Sequence, residues 1–202
     1  MQITKIEKQG RKLCVYLNDE PAFSLYPSEM TDYHLEEGQE LEEQAIQEIY
    51  SAVLLKRAEL RCLNLLKSRD RTCRQLTDQL KREDYPDEVI AQALSYVASY
   101  HYVDDAAYAR RYFEEGQGVK TLQRMKADLA ARGVSSEDIE AALMQLADDG
   151  EEPDDQQALA YWIRKRRYDP GNADEKERTR MIRFLMSKGF SYSEIRKAIA
   201  HT

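Results

Sequence analysis

The chain has 202 residues, of which 42% are hydrophobic and 33% charged, with a formal net charge of −7 and only 8 Gly and 5 Pro. This composition favours a helix-rich, elongated soluble protein over a compact enzyme with many tight turns. The chain has no apolar run of about 18 residues, no apolar signal core and no CxxC pair, so we expect a cytoplasmic protein without membrane span, disulfide or zinc site, in which Cys14, Cys62 and Cys73 are reduced packing residues.

The first 55 residues combine short β-type stretches with one helix. Residues 3–8, 13–18 and 21–26 are rich in β-forming side chains and are separated by turn residues, which predicts a small antiparallel hairpin or meander. Residues 41–56 have helical spacing, and this helix can run on into the next one. The face that it would bury comprises Ala45, Ile46, Ile49, Tyr50 and Val53.

The rest of the chain contains three copies of one helical unit. Residues 76–94, 125–143 and 181–199 superpose without a gap. Spacing of apolar residues predicts two helices in each copy, and internal repetition predicts that successive units pack in series. The five apolar columns are Leu76, Met125 and Met181; Leu80, Leu129 and Leu185; Tyr85, Val134 and Phe190; Ile90, Ile139 and Ile195; Leu94, Leu143 and Ile199.

Each copy carries the signals of a helix, a turn and a second helix. Gly133 and Gly189 stand where the first helix would end in a left-handed residue, and Asp84 takes this position in the first copy. Signals for the start of the second helix follow at Pro86, at Ser135 or Ser136, and at Ser191 or Ser193. A further helix precedes each pair, over residues 58–68, 105–114 and 156–166.

We therefore predict a mainly α fold, with three tandem three-helix repeats in an elongated curved array, preceded by a small N-terminal β-hairpin or meander. The acidic stretch ADDGEEPDD is a predicted hinge before the third repeat. The predicted divisions are residues 1–55 (β-hairpin or meander plus helix), 56–102 (first repeat), 103–147 (second repeat), 148–155 (acidic linker) and 156–202 (third repeat).

Charge is distributed unevenly along the chain. Residues 1–155 carry 19 basic and 32 acidic side chains, a net charge of −13, whereas residues 156–202 carry 11 basic and 5 acidic, a net charge of +6. Residues 56–82 are also basic, with 9 basic and 3 acidic side chains. The negative net charge of the whole chain argues against a general nucleic-acid binder. The basic tracts either contact phosphate or an acidic protein face locally, or they are solvated helix faces.

Two sets of basic residues are candidates for partner contact. Arg69, Arg71 and Arg74 lie near the start of a predicted helix, where their charge opposes the helix dipole, which favours an external anionic partner over internal salt bridges. The second set lies near Gly118, and three of its members have a near-helical spacing that would put them on one face. Its residues are Arg110, Arg111, Lys120, Arg124, Lys126 and Arg132.

Two stretches resemble the RecX family. Residues 102–143 are similar to its central segment, in which Y-[LV]-D-D-x-x-[FY]-A precedes a Gly-containing turn, a basic helix and K/R-G-[VI], and residues 68–80 are similar to its R-x-R-[ST]-x-x-[EQ]-L. The resemblance is strongest over 69–143 and weaker in the third repeat, which carries an insertion at 168–174. The matching residues are Tyr102, Val103, Asp104, Asp105, Tyr108, Ala109, Gly118, Arg124, Arg132, Gly133 and Val134, together with Arg69, Arg71, Thr72, Gln75 and Leu76.

The resemblance implies a non-enzymatic regulator of the RecA recombinase. Members of the family bind the RecA–single-stranded DNA filament, lie along its groove and limit its ATPase and strand-exchange activity, by blocking growth or promoting disassembly. For this chain the resemblance implies the RecA nucleoprotein filament as partner, and it leaves open a weak direct contact with DNA. From the hydropathy, the cysteine spacing and the absence of catalytic motifs we expect no membrane span, no metal and no cofactor, and we expect a monomer.

Other conspicuous residues have simpler structural interpretations. Asp104 and Asp105 are better explained by helix capping than by a metal site. An aromatic tract favours packing between the first two repeats over base stacking. This tract comprises Tyr96, Tyr100, Tyr102, Tyr108 and Tyr112.

The sequence contains no enzymatic motif, and it leaves one alternative function open. His34, His101 and His201 form no HExxH motif, and Gly116-Gln117-Gly118 is too short for a phosphate loop. The alternative is a helix-turn-helix-like module acting directly on DNA. The second helices of the first two copies, EVIAQAL and EDIEAAL, argue against it because phosphates repel their acidic side chains.

Overall fold

The computed structural model describes residues 1–200 and forms two compact units, which divide between Val103 and Asp104. The last two residues of the predicted third repeat, His201 and Thr202, lie outside the described residues. The first unit contains the N-terminal sheet and the first repeat, and the second unit contains the second and third repeats.

The first unit begins with a three-stranded antiparallel meander, which confirms the sequence prediction. Its strands are β1 (Ile3–Gln9), β2 (Lys12–Leu17) and β3 (Glu20–Leu25), hydrogen-bonded in that order. In the turn between β2 and β3, Asn18 and Asp19 have φ angles of 49° and 69°. When both central residues of a two-residue turn have positive φ, the backbone twist of the turn matches that of the flanking strands. Asn and Asp tolerate this conformation.

Helical structure begins earlier than the apolar spacing predicts. The short helix α1 (Pro27–Asp32) starts with proline, and the Glu29 carboxylate accepts a hydrogen bond from the Tyr26 backbone N–H at 2.7 Å. Helix α2 (Glu43–Ile49) continues through a π-helical segment (Tyr50–Leu55) into α3 (Lys56–Ser68). The predicted helix therefore does run on into the first repeat.

The first repeat and the sheet share one core. After α3 the repeat continues with α4 (Cys73–Arg82) and α5 (Asp87–Ser99), and side chains from the strands and the helices form a single buried cluster. Cys62 is fully buried in this core, and burial raises the pKa of its thiol to about 11. The thiol therefore stays neutral and packs as a small apolar group.

The second unit contains two further three-helix repeats. An Asp104 carboxylate oxygen accepts a hydrogen bond from the Ala107 N–H, and an Asp154 oxygen accepts one from the Gln156 N–H, both at 2.8 Å, so each caps the leading helix of its repeat. The helices are α6 (Asp105–Gly116), α7 (Leu122–Ala131) and α8 (Ser136–Asp148), then α9 (Asp155–Lys165), α10 (Glu175–Ser187) and α11 (Tyr192–Ala200).

The five apolar columns found in the sequence form the cores of the three repeats. All residues of the first four columns are buried, and the three leucines of the second column, Leu80, Leu129 and Leu185, are fully inaccessible to solvent. In the fifth column Ile199 is buried, whereas Leu94 and Leu143 are half-buried. The repetition in the sequence is therefore a repetition of core packing.

The turns between paired helices use left-handed residues, as the sequence predicts. Asp84, Gly133 and Gly189 have φ angles of 62°, 82° and 98°. At Gly189 a Cβ atom would also lie only 2.8 Å from the Thr121 hydroxyl oxygen, so glycine is required there for space as well as for conformation.

Direct contacts join the second and third repeats inside the second unit. The half-buried Asp155 carboxylate accepts a hydrogen bond from the Leu122 N–H at 2.7 Å, and partial burial raises the pKa of this carboxyl. The Trp162 indole N–H donates to the Val119 carbonyl at 2.8 Å. Within the described residues, no helix has the length and apolar character needed to cross a bilayer.

Candidate partner-binding site

The first predicted basic set lies where α3 joins α4. Arg69 is exposed in the connecting loop, Arg71 is half-buried, and Arg74 lies on the first turn of α4 with its guanidinium 3.9 Å from the Asp78 carboxylate. Within the described residues, the buried Arg71 Nε has no hydrogen-bond partner. Burial, and then the charges of Arg69 and Arg61, lower the pKa of Arg71. An external anion would stabilise a cation held in this way.

Two members of the second basic set, Lys120 and Arg124, pair with a single carboxylate. Asp128 accepts a hydrogen bond from the Tyr112 hydroxyl at 2.8 Å and lies 3.0 Å from Arg124 and 3.5 Å from Lys120. Lys120 and Arg132 also lie over the Tyr112 ring, at 4.5 and 4.3 Å from its centroid. Burial raises the pKa of Asp128, but the Tyr112 hydrogen bond and the charges of Arg124 and Lys120 outweigh it and lower the pKa.

The other members of the second set contact different groups. The Arg110 guanidinium binds Asp149 at 2.7 Å and Glu114 at 2.8 Å, and these bonds raise its pKa. Lys126 pairs with Glu140 on α8 at 2.9 Å. Arg111 is exposed on α6. The structure thus brings Lys120, Arg124 and Arg132 together, while Arg110 and Lys126 each pair with other carboxylates.

The aromatic tract divides between the two units. In the first unit Tyr96, Tyr100 and Tyr102 form a ladder with ring centroids 4.9 and 6.1 Å apart, and Tyr100 and Tyr102 are more than half exposed. In the second unit the Tyr108 hydroxyl accepts a hydrogen bond from Arg132 at 2.6 Å, while Tyr112 binds Asp128. Tyr108 and Tyr112 therefore position the cations of the second repeat.

Each repeat places three equivalent residues in contact where its leading helix meets the second helix, and we call this group the corner cluster. Its members are one residue of the leading helix, one residue of the second helix, and the residue that precedes the left-handed turn position. The corner clusters are Arg61, Gln79 and Glu83 in the first repeat; Tyr112, Asp128 and Arg132 in the second; Trp162, Phe184 and Lys188 in the third.

The corner clusters share their positions but differ in charge. In the first repeat Glu83 accepts hydrogen bonds from Arg61 at 2.9 Å and from Gln79 at 2.7 Å. The second has the Tyr112–Asp128 bond and a cation over the ring. In the third, Trp162 and Phe184 pack edge to face at 5.4 Å, and Lys188 lies 4.6 Å from the Trp162 centroid. The third cluster therefore holds a cation without a carboxylate, and the charge pattern of the sequence did not reveal it.

Comparison with known proteins identifies the family. A family model for the first three-helix domain of RecX matches residues 58–96, and a model for its third three-helix domain matches residues 153–199. The regulatory protein RecX of Limosilactobacillus reuteri strain DSM 20016 is 32% identical over 205 residues, which cover 95% of this chain and 73% of the relative. The chain belongs to the RecX family.

Further RecX proteins match most or all of the chain. The regulatory protein RecX of Caldanaerobacter subterraneus subsp. tengcongensis is 27% identical over 202 residues and covers 98% of both chains. A crystal structure of regulatory protein RecX, 27% identical, aligns over 100% of both chains with a TM-score of 0.63. RecX from Lactobacillus salivarius, 21% identical with a TM-score of 0.57 over 72% of this chain and 94% of that structure, shares the fold.

The RecX three-helix domains coincide with the repeats seen in the structure. The first domain model spans α3 to α5 and contains Arg69, Arg71 and Arg74, and the third spans α9 to α11 and contains the third corner cluster. The third repeat, whose motifs resemble RecX less closely by inspection, is thus matched by its own family model. The relatives are named as regulatory proteins, which agrees with a regulatory role for a RecX-family chain.

Proposed function

We propose that this RecX-family chain binds the RecA–single-stranded DNA filament and restrains its ATP hydrolysis and strand exchange, by blocking filament growth or promoting disassembly. The observation that carries this proposal is similarity over nearly the whole chain to proteins named regulatory protein RecX. The proposal includes action as a monomer in the cytoplasm, without a cofactor or catalytic residue of its own.

The arrangement of the repeats supports a binding role. The second and third repeats each have a core of their own and the first repeat shares one with the sheet, so the helix faces away from these cores are available to a partner. The first basic set supports contact with an anionic surface, because Arg71 is partly desolvated and Arg69 is exposed beside it. The second set is assigned to the same partner, with Asp128 fixing the positions of Lys120 and Arg124.

The proposal is tested by titrating the DNA-dependent ATP hydrolysis of RecA with this protein at fixed salt concentration. We expect hydrolysis to fall as the added protein approaches stoichiometry with the filament. Circular dichroism on the same preparation establishes that the protein is folded. Unchanged hydrolysis in the presence of folded protein would overturn the proposal.

A pair of double variants tests the first basic set. Arg69→Glu with Arg74→Glu should raise the concentration needed for half-inhibition by about tenfold, which corresponds to about 1.4 kcal/mol. The matched control, Lys56→Glu with Arg82→Glu, changes two exposed cations of the same repeat by the same charge and should leave inhibition unaltered. If both variants weakened inhibition equally, Arg69 and Arg74 would contribute only general electrostatic attraction and not a specific contact.

Charge reversal tests the second set in the same assay. Arg124→Glu and Arg132→Glu should each weaken inhibition while helicity is retained. Arg124 gives the cleaner result, because its side chain is 63% exposed, whereas Arg132 also binds Tyr108 and covers the Tyr112 ring. Unchanged inhibition by folded Arg124→Glu would remove this residue from the contact.

A further inference from the structure

The third repeat differs from the other two in how its basic side chains are engaged. Residues 156–202 carry 11 Lys and Arg, yet in the part of this repeat that the structure describes none of them lies within 4.0 Å of a carboxylate oxygen. In the second repeat, by contrast, Arg110, Lys120, Arg124 and Lys126 all form ion pairs. The third repeat therefore combines a net charge of +6 with an absence of ion pairs among its described residues.

The carboxylates of the third repeat stabilise its own turns and helix starts instead. Asp169 accepts hydrogen bonds from the Gly171 N–H at 3.0 Å and the Asn172 side chain at 2.6 Å. Asp174 accepts from the Glu177 N–H at 2.7 Å at the start of α10. Glu194 accepts from the Ser191 hydroxyl at 2.6 Å. These carboxylates bind backbone N–H groups and neighbouring polar side chains, and none of them forms an ion pair with a described Lys or Arg of the repeat.

Aromatic rings hold three of the cations in place without neutralising them. The Arg166 guanidinium lies 3.9 Å from the Phe184 centroid, and the ammonium groups of Lys188 and Lys165 lie 4.6 and 4.9 Å from the Trp162 centroid. The face of an aromatic ring attracts a cation but carries no net charge. An anion that approaches this surface therefore meets three ordered positive charges.

An open cleft of about 640 Å³ continues from this surface. Arg166 and Phe184 belong to both, and the cleft adds Arg167 and Arg180 to its wall, which also carries the carboxylate residues Asp169 and Glu177. The hydroxyl of Tyr168, also on the wall, is buried and has no hydrogen-bond partner within the described residues. The cleft has the volume of a small-ligand site, and its cations and unpaired hydroxyl suit a phosphate-bearing ligand.

We propose that this surface of the third repeat, formed by Trp162, Lys165, Arg166, Phe184 and Lys188 with the adjoining cleft, binds single-stranded nucleic acid. The ring-held cations contact the phosphates, and the cleft receives a nucleotide. Bases stack on the guanidinium plane of Arg166 and on the exposed part of the aromatic rings. This proposal is independent of the recombinase, because it concerns a contact that the chain makes with nucleic acid on its own.

The mixture of rings and cations favours a single strand over other polyanions. Proteins that bind single strands combine a positively charged groove with aromatic side chains, because an unpaired base offers a face for stacking that a duplex or an acidic peptide lacks. The cations here lie in direct contact with the rings, so one flexible strand can place its phosphates at the cations and its bases at the rings. This surface lies on α9 and α10, whereas the helix-turn-helix alternative would use the last helix of each repeat.

Equilibrium binding of a labelled oligothymidylate, without recombinase, tests the proposal. Fluorescence anisotropy should show binding, and the logarithm of the association constant should fall linearly with the logarithm of the salt concentration. Trp162 is the only tryptophan of the chain, so quenching of its fluorescence at the same oligonucleotide concentrations reports occupancy of this surface. Absence of binding at low salt, or binding without any change in tryptophan fluorescence, would overturn the proposal.

Substitutions locate the binding surface. Arg166→Ala with Lys188→Ala should weaken binding about tenfold and reduce the salt slope by about 1.4, because each cation that binds a phosphate of a single strand contributes about 0.7 to that slope. The matched control, Lys5→Ala with Lys8→Ala, removes two exposed cations of the N-terminal sheet and should leave affinity and slope nearly unchanged. Equal weakening by both variants would show non-specific attraction and would contradict the assignment.

Competition identifies the ligand class. Unlabelled oligothymidylate should displace the probe at concentrations at least about tenfold below those of a duplex of equal phosphate content or of polyglutamate. Equal or better displacement by the duplex or by polyglutamate would contradict the single-strand assignment. No recombinase is present in these binding assays. A negative result would therefore contradict oligonucleotide binding only, and the inhibition of RecA is tested separately by the titration of ATP hydrolysis.

Discussion

The second and third repeats share one helical plan and treat positive charge in opposite ways. Position for position, Tyr112 corresponds to Trp162, Asp128 to Phe184 and Arg132 to Lys188. In the second repeat the carboxylate of Asp128 draws Arg124 and Lys120 to within 3.0 and 3.5 Å. In the third repeat a phenyl ring takes the place of that carboxylate, and Arg166 and Lys188 lie over aromatic rings instead.

The number of basic residues in a repeat therefore does not predict which cations a partner can reach. Ion pairs at the surface contribute little to folding, about 0–1 kcal/mol, but the paired carboxylate offsets the charge that an approaching anion meets. An aromatic ring also holds a cation in place, with an interaction of similar size, but it adds no negative charge beside that cation. The core common to both repeats allows the two corner clusters to differ without changing the fold.

The largest expected effect tests whether the two repeats really share their core. Leu129 and Leu185 are equivalent and fully buried, so Leu129→Ala and Leu185→Ala should each lower the free energy of unfolding by about 2–5 kcal/mol. Urea denaturation followed by circular dichroism measures both. Met186→Ala, next to Leu185 but 51% exposed, is the control and should change the free energy by less than about 0.5 kcal/mol. A small effect at only one leucine would break the equivalence.

Asp128 and Phe184 occupy the same position in the second and third corner clusters. Exchanging these two residue types should exchange which repeat pairs its cations with a carboxylate. Phe184→Asp introduces a carboxylate beside Lys188 and Arg166 and should weaken oligonucleotide binding about tenfold, or about 1.4 kcal/mol. Phe184→Leu, which removes the ring without adding charge, should weaken binding less than Phe184→Asp does. Anisotropy titrations of the folded variants measure both changes, and equal weakening by the two variants would contradict the role given to charge.

The reciprocal substitution is made at the corner cluster of the second repeat. Asp128→Phe removes the carboxylate that engages Lys120 and Arg124, so it should strengthen oligonucleotide binding in the otherwise unaltered chain. The same anisotropy titration measures this change. Binding equal to that of the unsubstituted protein would show that the position of these cations, and not their pairing, keeps them from nucleic acid.

Most of the fold follows from the sequence, because buried positions repeat with a fixed period. The column containing Leu80, Leu129 and Leu185, and the left-handed positions of Asp84 and Gly133, could all be identified from spacing and turn chemistry. Helix α1 could not, because six residues are too few to show a period. Its signals are local, namely proline at the start and Glu29 three residues after Tyr26.

The sites are less predictable because their residues lie between the apolar columns. The pairing of Arg124 with Asp128 is an i,i+4 contact that spacing can indicate. Trp162 and Phe184 stand on different helices separated by the 168–174 insertion, so only the folded structure shows that they touch. For the same reason, the charge pattern identified residues 156–202 as a basic tract but did not single out the ring-held cations within it.

The smallest effect concerns the charge of Asp128 itself and has a defined pH dependence. Asp128→Asn keeps the size of the side chain but loses its attraction for Arg124 and Lys120, so the free energy of unfolding at pH 7 should fall by about 1 kcal/mol. The pKa of Asp128 is lower in the folded protein than its usual value, so the unfolded chain binds the proton first as the pH falls.

The stabilisation from Asp128 should therefore be fully present above the usual carboxyl pKa of about 3.9 and disappear as the pH drops through that value toward the lower folded pKa. Urea denaturation of both proteins between neutral and acidic pH measures this. Asp87→Asn is the control, because Asp87 is 81% exposed beside Lys81 and its loss should have little effect at any pH. A stability difference at Asp128 that persists unchanged into acid would mean that the carboxylate acts through packing, and the contrast between the two corner clusters would then rest on shape and not on charge.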